Sequence, residues 1–397
     1  PWVGNAFEPE VSSIPMSNDP IERFRAAFAK PEGLIHANNA GVAPISLPAA
    51  NAVKFWTDRF SKEGMHAAFP AIEETERTRV RLAKILGAKT EEVAFFQSAA
   101  GAISQVALGL KLEAGDEIVV WDQEYPSNFH PWRIAAERVG AKVVVAQSPD
   151  DLSTPLDRIA DVVTNRTKVI AISWVQYRTG AIMDLEALAD FAEARGIFTC
   201  ADIIQGAGLL PFDFHASRLD AACGGSHKWF VSPISAGYLL IKESRIAEIQ
   251  PTTAGAMSFG TPDSLPTLKD TLKAGAARFE PGSRGILELV GFGASLELVA
   301  DVGIARVGQE VEWLSRTLMH ELREVGYEIN SPHGAHHRGS IVNFKPGPHS
   351  AAKTEDEIDV RLKTARVSFG RRPPGVRLSL HAFNTKADVD RLIEILS

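Results

Sequence analysis

The sequence predicts an α/β fold: a large domain on a mostly parallel sheet covered by helices, then a smaller α+β C-terminal domain. Three observations carry this. Between about residues 70 and 245, short apolar runs rich in Val, Ile and Phe alternate with amphipathic stretches, the pattern of repeated βα units. Those runs are continuously apolar, as strands buried on both faces are. After about residue 285 the order changes to long helical stretches beside a few short strand-like runs.

In chain order, the expected strands of the large sheet are Val93–Gln97, Glu117–Trp121, Lys142–Ala146, Lys168–Trp174, Ile197–Ala201 and Tyr238–Ile241. Ala102–Leu110, Asn128–Val139 and Asp184–Arg195 read as helices between them. Residues 250–283 are rich in Gly, Pro and Thr and read as loop with little regular structure. Helices are expected over Leu287–Ala300, Val307–Val325 and Lys386–Ile395. Short strands are expected at Tyr327–Ile329, Ser340–Phe344, Arg366–Phe369 and Val376–Leu380. The expected domains are an N-terminal arm (1–30), a large domain (31–285) and a small domain (286–397). Residues 1–15 read as an added or loose arm, and Met16 to Pro20 as a start that opens a helix.

Composition narrows the function classes. The 397 residues are 45% hydrophobic and 23% charged, with 42 Lys plus Arg against 49 Asp plus Glu. A net charge of −7 without a long basic run argues against nucleic-acid binding. No apolar window is long enough for a membrane span. The two cysteines, Cys200 and Cys223, are too few for a disulfide scaffold. They read as buried packing thiols of a reducing, cytoplasmic protein.

Ligands of open α/β sheets bind beyond the carboxyl ends of the strands. Four stretches near such ends carry chemistry. Asp202 follows an apolar strand directly and could hold a proton on a buried ring nitrogen; as an isolated Asp it would be a helix cap. Lys228, in Gly224-Gly225-Ser226-His227-Lys228-Trp229-Phe230, lies between small residues and aromatics. Burial there would lower its pKa, as an imine-forming amine requires. Ser98-Ala99-Ala100-Gly101 joins a strand to a helix, where free backbone N–H groups can cradle a phosphate. Arg377, within Gly375–Leu380, is either an outward structural Arg or a clamp for a carboxylate. Taken together, these are the requirements of pyridoxal phosphate (PLP) chemistry on an amino acid.

At these residues the sequence resembles the class V aminotransferase family, which includes cysteine desulfurases, selenocysteine lyases and isopenicillin N epimerase-like enzymes. The resemblance runs from about His36 to the C-terminus. It rests on Asn38-Asn39-Ala40-Gly41, Ala114-Gly115-Asp116-Glu117, Glu124-Tyr125-Pro126-Ser127-Asn128 with Pro131-Trp132, Asp202-Ile203-Ile204-Gln205, His227-Lys228, Arg278-Phe279-Glu280-Pro281-Gly282, and Arg377 with Phe383-Asn384-Thr385. It implies a PLP-dependent fold type I homodimer with shared active sites, acting on a small amino acid.

The resemblance also implies roles. Lys228 would bind PLP as an imine, Asp202 would pair with the pyridine nitrogen, and Gln205 would meet the ring's phenolic oxygen. Ser98, Ala99 and Ala100 would contact the phosphate, with Ser226, His227 and, across the dimer interface, Ser283. Asn39, Ala40 and Tyr177 would line the substrate side, and Arg377 would hold the α-carboxylate. Desulfurases place a His over the ring where this chain reads Tyr125, so Tyr125 becomes the expected stacking group.

A second departure bears on the reaction. Persulfide-forming desulfurases carry a Cys loop shortly before the Arg377-like residue. Here Val367–Gly375 is short and holds no Cys, which argues against sulfur transfer through a protein persulfide. β-Elimination at a C–S bond and transamination are the expected outcomes; epimerisation and a non-catalytic PLP-fold binding or regulatory protein are the alternatives. A nicotinamide dehydrogenase is discounted for want of Gly-x-Gly-x-x-Gly after the first strand. No metal site is expected: His333, His336 and His337 lack an accompanying Cys or carboxylate. Arg371-Arg372 reads as a solvated loop pair, with contact to an acidic substrate tail as the alternative.

Overall fold

A computed structural model describes residues 17–29, 31–260, 267–268, 270–334 and 341–397. The arm over residues 1–15, together with His336 and His337, lies outside the described residues. The large sheet has seven strands: β1 (Val93–Phe96), β2 (Glu117–Trp121), β3 (Lys142–Ala146), β4 (Thr167–Ser173), β5 (Phe198–Asp202), β6 (Ala221–Gly225) and β7 (Gly237–Ile241). Their order is β1-β7-β6-β5-β4-β2-β3. Every pair is parallel except those of β7, which runs antiparallel to β1 and β6.

The continuous apolar runs have their reason in the two-sided core. On β2, Val119 and Trp121 enter one hydrophobic cluster while Ile118 and Val120 enter the other, so successive residues cover opposite faces. β6 falls outside the expected strands. Its sequence, Ala-Ala-Cys-Gly-Gly, offers little hydrophobic signal. Gly224 is required there because a Cβ would overlap the phenol of Tyr238 on β7.

Two long helices outside the expected set, Leu47–Glu63 and Met65–Ile85, meet at Gly64, whose φ is +54°. Both pack on the helix Ile286–Val302. That helix is apolar around most of its circumference and is correspondingly buried. Its Leu289, Phe292, Leu296 and Val299 join the cluster that also holds Trp229 and Phe230.

The smaller sheet is antiparallel, in the order Gly370–Arg372, Gly375–Leu378, Val342–Lys345, Glu328–Ile329. Its own cluster draws on Leu314, Leu318, Phe344, Val376, Leu378 and Leu392, and also on Ile35 and Ala37. Ile35–His36 pairs in parallel with Val367–Ser368, and Asn38 bridges to Ser379. The chain then passes to the large sheet, where the Ala43 N–H donates to the His227 carbonyl at 2.9 Å. Residues 38–43 therefore run from the small sheet to the lysine loop. Among the described residues no helix is long and apolar enough to cross a membrane.

Candidate active site

Asp202 ends β5 and is buried. Its Oδ1 accepts from the Ile204 N–H at 3.0 Å. Burial raises its pKa, opposed by that N–H and by the charge of Lys228. Lys228 follows the adjacent strand β6 by a three-residue step. Burial lowers its pKa to about 8 against the pull of Asp202, and the charges of Arg377 and Arg372 lower it further. Asp202 and Lys228 thus sense one another's charge without forming an ion pair.

An aromatic face stands beside the Lys228 amine. The Lys228 Nζ lies 5.8 Å from the centre of the Tyr125 ring. Tyr125 meets Tyr177 edge to face, with centroids 5.0 Å apart. Asn39 donates from Nδ2 to the Lys228 carbonyl at 3.3 Å, and its buried Oδ1 has no partner. Ala40 anchors to the Ser379 hydroxyl through its N–H at 2.9 Å. Both ends of the Gln205 amide are occupied. Its Oε1 accepts from the Trp229 Nε1 and its Nε2 donates to the Ala40 carbonyl, each at 3.0 Å. One N–H of Gln205 remains for another acceptor.

At the far end, Ser98 caps the helix Ala99–Gly109, its Oγ accepting from the Gly101 N–H at 3.1 Å. Ser98 is exposed and Ala100 half-buried, so the helix start opens outward. Gly237 on β7 lies against the Ser98 backbone, and the neighbouring Ala236 carbonyl accepts from the Ser226 N–H at 3.0 Å. This ties the lysine loop to the helix start. The Ser226 hydroxyl donates to the Pro233 carbonyl at 2.7 Å. Burial and the neighbouring Lys228 push His227 down to about 4, so it is neutral near pH 7. Ser283 is exposed, and no hydrogen bond among the described residues links it to Ser98. Its segment is pinned by Glu280, which pairs with Arg79 at 2.6 Å and Arg284 at 2.8 Å.

Arg377 is buried in the small sheet, and its charge is felt at Lys228. Its Nη1 donates to the Tyr177 carbonyl at 2.8 Å and its Nη2 to the Asn38 Oδ1 at 3.0 Å, while Nε has no partner. Burial lowers its pKa to about 10, and Arg372 adds to that shift. The solvated reading of the Arg371-Arg372 pair holds for Arg371, which pairs with Glu355 and Asp356. Arg372, on the opposite face of the strand, is half-buried, and its Nη1 donates to the Arg371 carbonyl at 2.7 Å.

Sequence reasoning gave no role to Asn38, Ser379, Asn343 or Glu124. Glu124 is buried beside Tyr125. It accepts from the Ser173 N–H at 2.7 Å, from the Ser173 hydroxyl at 2.5 Å and from Asn128 at 2.8 Å. Burial outweighs these bonds and raises its pKa to about 7. Its place in a quoted motif was the available signal.

A buried amine of lowered pKa, a nearby carboxylate, an aromatic face, a helix start and an arginine clamp fit a phosphorylated aldehyde cofactor and its amino-acid substrate. The Asn39 Oδ1 and Arg377 Nε are buried near these groups without a polar partner. A family model described as Aminotransferase class-V matches residues 51–392. The chain belongs to the class V aminotransferase family. Its members depend on PLP, and this class V chain is a PLP-dependent enzyme of lyase or aminotransferase type. A probable cysteine desulfurase of Streptomyces coelicolor is 25% identical, over 91% of this chain and 91% of that one. The apo cysteine desulfurase of Thermococcus onnurineus NA1 superposes with a TM-score of 0.82 at 21% identity, covering 91% and 93% of the two chains. The cystine C-S lyase C-DES, in complex with its product cysteine persulfide, gives 0.83 at 21%, covering 91% and 96%. The fold is thus the expected fold type I arrangement.

In this class V chain the stretch before Arg377 is a paired hairpin without Cys. Cys200 and Cys223 are free and buried in the sheet core.

Proposed function

We propose that this chain is a β-lyase that cleaves a C–S bond of a small L-amino acid, with pyridoxal phosphate bound at Lys228. The observation that carries the reading is the buried Lys228 amine, held near Asp202 without an ion pair and within reach of the Arg377 clamp. When bound, the cofactor supplies an electron sink for the carbanion at Cα. Asp202 holds the proton on the cofactor's ring nitrogen, and Tyr125 covers the ring. The N–H groups of Ala99 and Ala100, with Ser98 and His227, receive the phosphate, while Ser226, expected to join them, has both of its donors engaged by the Ala236 and Pro233 carbonyls and holds the lysine loop instead. Gln205 directs its free N–H to the ring oxygen.

Arg377 binds the α-carboxylate, and Asn39, Ala40 and Tyr177 close the substrate side. Lys228, near pH 8 partly neutral, takes the Cα proton. The C–S bond then breaks with its electrons leaving on sulfur, which takes up a proton as a thiol. Water releases the remaining fragment as pyruvate and ammonia. No cysteine stands near the clamp to take the sulfur, which favours release over transfer to the protein. The experiment is product analysis with cysteine thioethers and cystine. Pyruvate and ammonia in equal amounts support the lyase; a keto acid formed only with an acceptor keto acid, or loss of optical rotation alone, refutes it.

The working unit is a homodimer, in which the partner's copy of Ser283 reaches the phosphate. Supporting this, Val42, Ile45, Met65, Phe69 and Ile234 are exposed large apolar side chains, and the 43–46 backbone is hydrogen-bonded to the lysine loop. Sedimentation at micromolar concentration tests it: a monomer with full turnover overturns the shared site. The division into a large domain 31–285 and a small domain 286–397 is kept, with the first helix of the latter, Ile286–Val302, packed on the large domain. It works in the cytoplasm, in keeping with two adjacent buried thiols left unpaired.

A further inference from the structure

The hairpin before the clamp carries a second cation toward the site. Gly370 pairs opposite Arg377, and Arg372 stands two positions further along the same strand. Residues two apart on a strand share a face, as do residues directly opposite. Arg372 and Arg377 therefore face the same way, and Arg371 faces the other. Asn343, also opposite Arg377, fixes this placement from the neighbouring strand. Its buried Nδ2 donates to the Arg372 carbonyl at 2.8 Å and to the Arg178 carbonyl at 3.1 Å. One amide nitrogen thus holds both arginines beside the clamp. Arg178 in turn donates from Nε to the Tyr177 hydroxyl at 2.9 Å.

These arginines differ from their neighbour in what balances them. Arg371 has two carboxylates, Glu355 and Asp356. Among the described residues, Arg178, Arg372 and Arg377 have none. Burial chiefly lowers the Arg377 pKa, and the repulsion of Arg372, with no anion between the two, lowers it further. The α-carboxylate of a substrate answers Arg377 alone. Arg372 is half-buried, so its charge is only partly screened by water.

From this placement we infer that the substrate carries a second carboxylate, on the group attached at Cβ, and that Arg372, with Arg178 beside it, is the residue that selects it. This rests on the proposed lyase reading and deepens it. The leaving thiol would then be a carboxylate-bearing one rather than sulfide alone.

The test uses the cofactor-loaded enzyme and two side chains of nearly equal shape, S-carboxymethyl-L-cysteine and the neutral S-carbamoylmethyl-L-cysteine. The wild type should prefer the acid in kcat/KM, read as pyruvate release, by about tenfold or more. Arg372→Gln should bring that ratio to about one, with an unchanged urea midpoint reporting a sound fold. Arg371→Gln should leave the ratio as it was. A ratio near one in the wild type, a preference that survives Arg372→Gln, or an equal loss in Arg371→Gln overturns the inference while leaving the lyase intact. If neither compound yields pyruvate, the lyase reading fails. The same ratio is then read from dissociation constants by calorimetry, with the same outcomes for and against Arg372.

Discussion

The two ends of the site are built by different means. At the Ser98 end, the donors are backbone N–H groups at a helix start, the side chains are small, and the surface is open. At the Arg377 end, the donors are guanidinium groups held by side-chain amides and carbonyls in a buried hairpin. The difference suits the two tasks. A phosphate that stays with the enzyme can be cradled by fixed dipoles and finished by a partner subunit. A carboxylate that must be chosen and released is better met by a charged fork whose pairing is geometric. Lys228 stands between these ends, and its amine feels the cations of one end only.

The largest effect belongs to the residue between the ends. Lys228→Ala should reduce turnover by about 1000-fold or more, since it removes both the cofactor's covalent anchor and the proton carrier. Borohydride treatment should then trap no cofactor; an adduct on another lysine would reject the assignment. At the clamp end, Arg377→Ala should raise KM for amino acids by about 10- to 100-fold, the range of a lost charged hydrogen-bond pair. The matching amines, which lack the carboxylate, should be affected far less. An equal effect on both would erase the distinction between the two ends.

What could be seen in the sequence follows the same division. Lys228, Asp202 and the Ser98 turn lie at strand ends, and strand ends are legible because continuous apolar runs mark them. Arg377 also stood out, within a short alternating strand. Arg371-Arg372 was visible as a pair, with contact to an acidic substrate tail as its alternative reading, but which of the two faces the site depends on hairpin register, and register is set by pairing with Gly375–Leu378 rather than by local composition. Asn343 was invisible for a related reason. It joins Arg178 and Arg372, residues far apart in the chain, and only the folded sheet brings them together. The helices Leu47–Glu63 and Met65–Ile85 escaped notice through their weak apolar patterning. Each is anchored instead by packing on the buried helix Ile286–Val302.

Glu124 lies under the aromatic side of the site and offers a pH test of its own. Its folded pKa is raised to about 7, above the ordinary glutamate value. As pH rises from about 4.5 to 7, the unfolded chain gives up this proton and the folded chain retains it. The unfolded state then binds fewer protons, so stability falls across that window and levels off above it. Glu124→Gln removes the titration. Relative to wild type, the variant should gain roughly 1–3 kcal/mol between pH 5 and pH 8, read from urea midpoints. A gap that does not change with pH would mean that Glu124 ionises normally and that its bonds to Ser173 outweigh burial.

The smallest effect is expected at the open end. Ser98→Ala removes the side-chain acceptor for the Gly101 N–H and should cost about 1 kcal/mol of stability. Its effect on the cofactor should be modest, a few-fold weaker PLP binding by equilibrium dialysis, because the N–H groups of Ala99 and Ala100 remain in place. The contrast with Arg377 sharpens here. If the phosphate end works through backbone dipoles, no single side-chain truncation in this chain should disable it. Ser98→Ala would then change cofactor affinity without changing the preference between amino acids and amines. A loss of cofactor as complete as that in Lys228→Ala would show instead that the Ser98 hydroxyl is the principal phosphate ligand, and the two ends would differ in burial but not in kind.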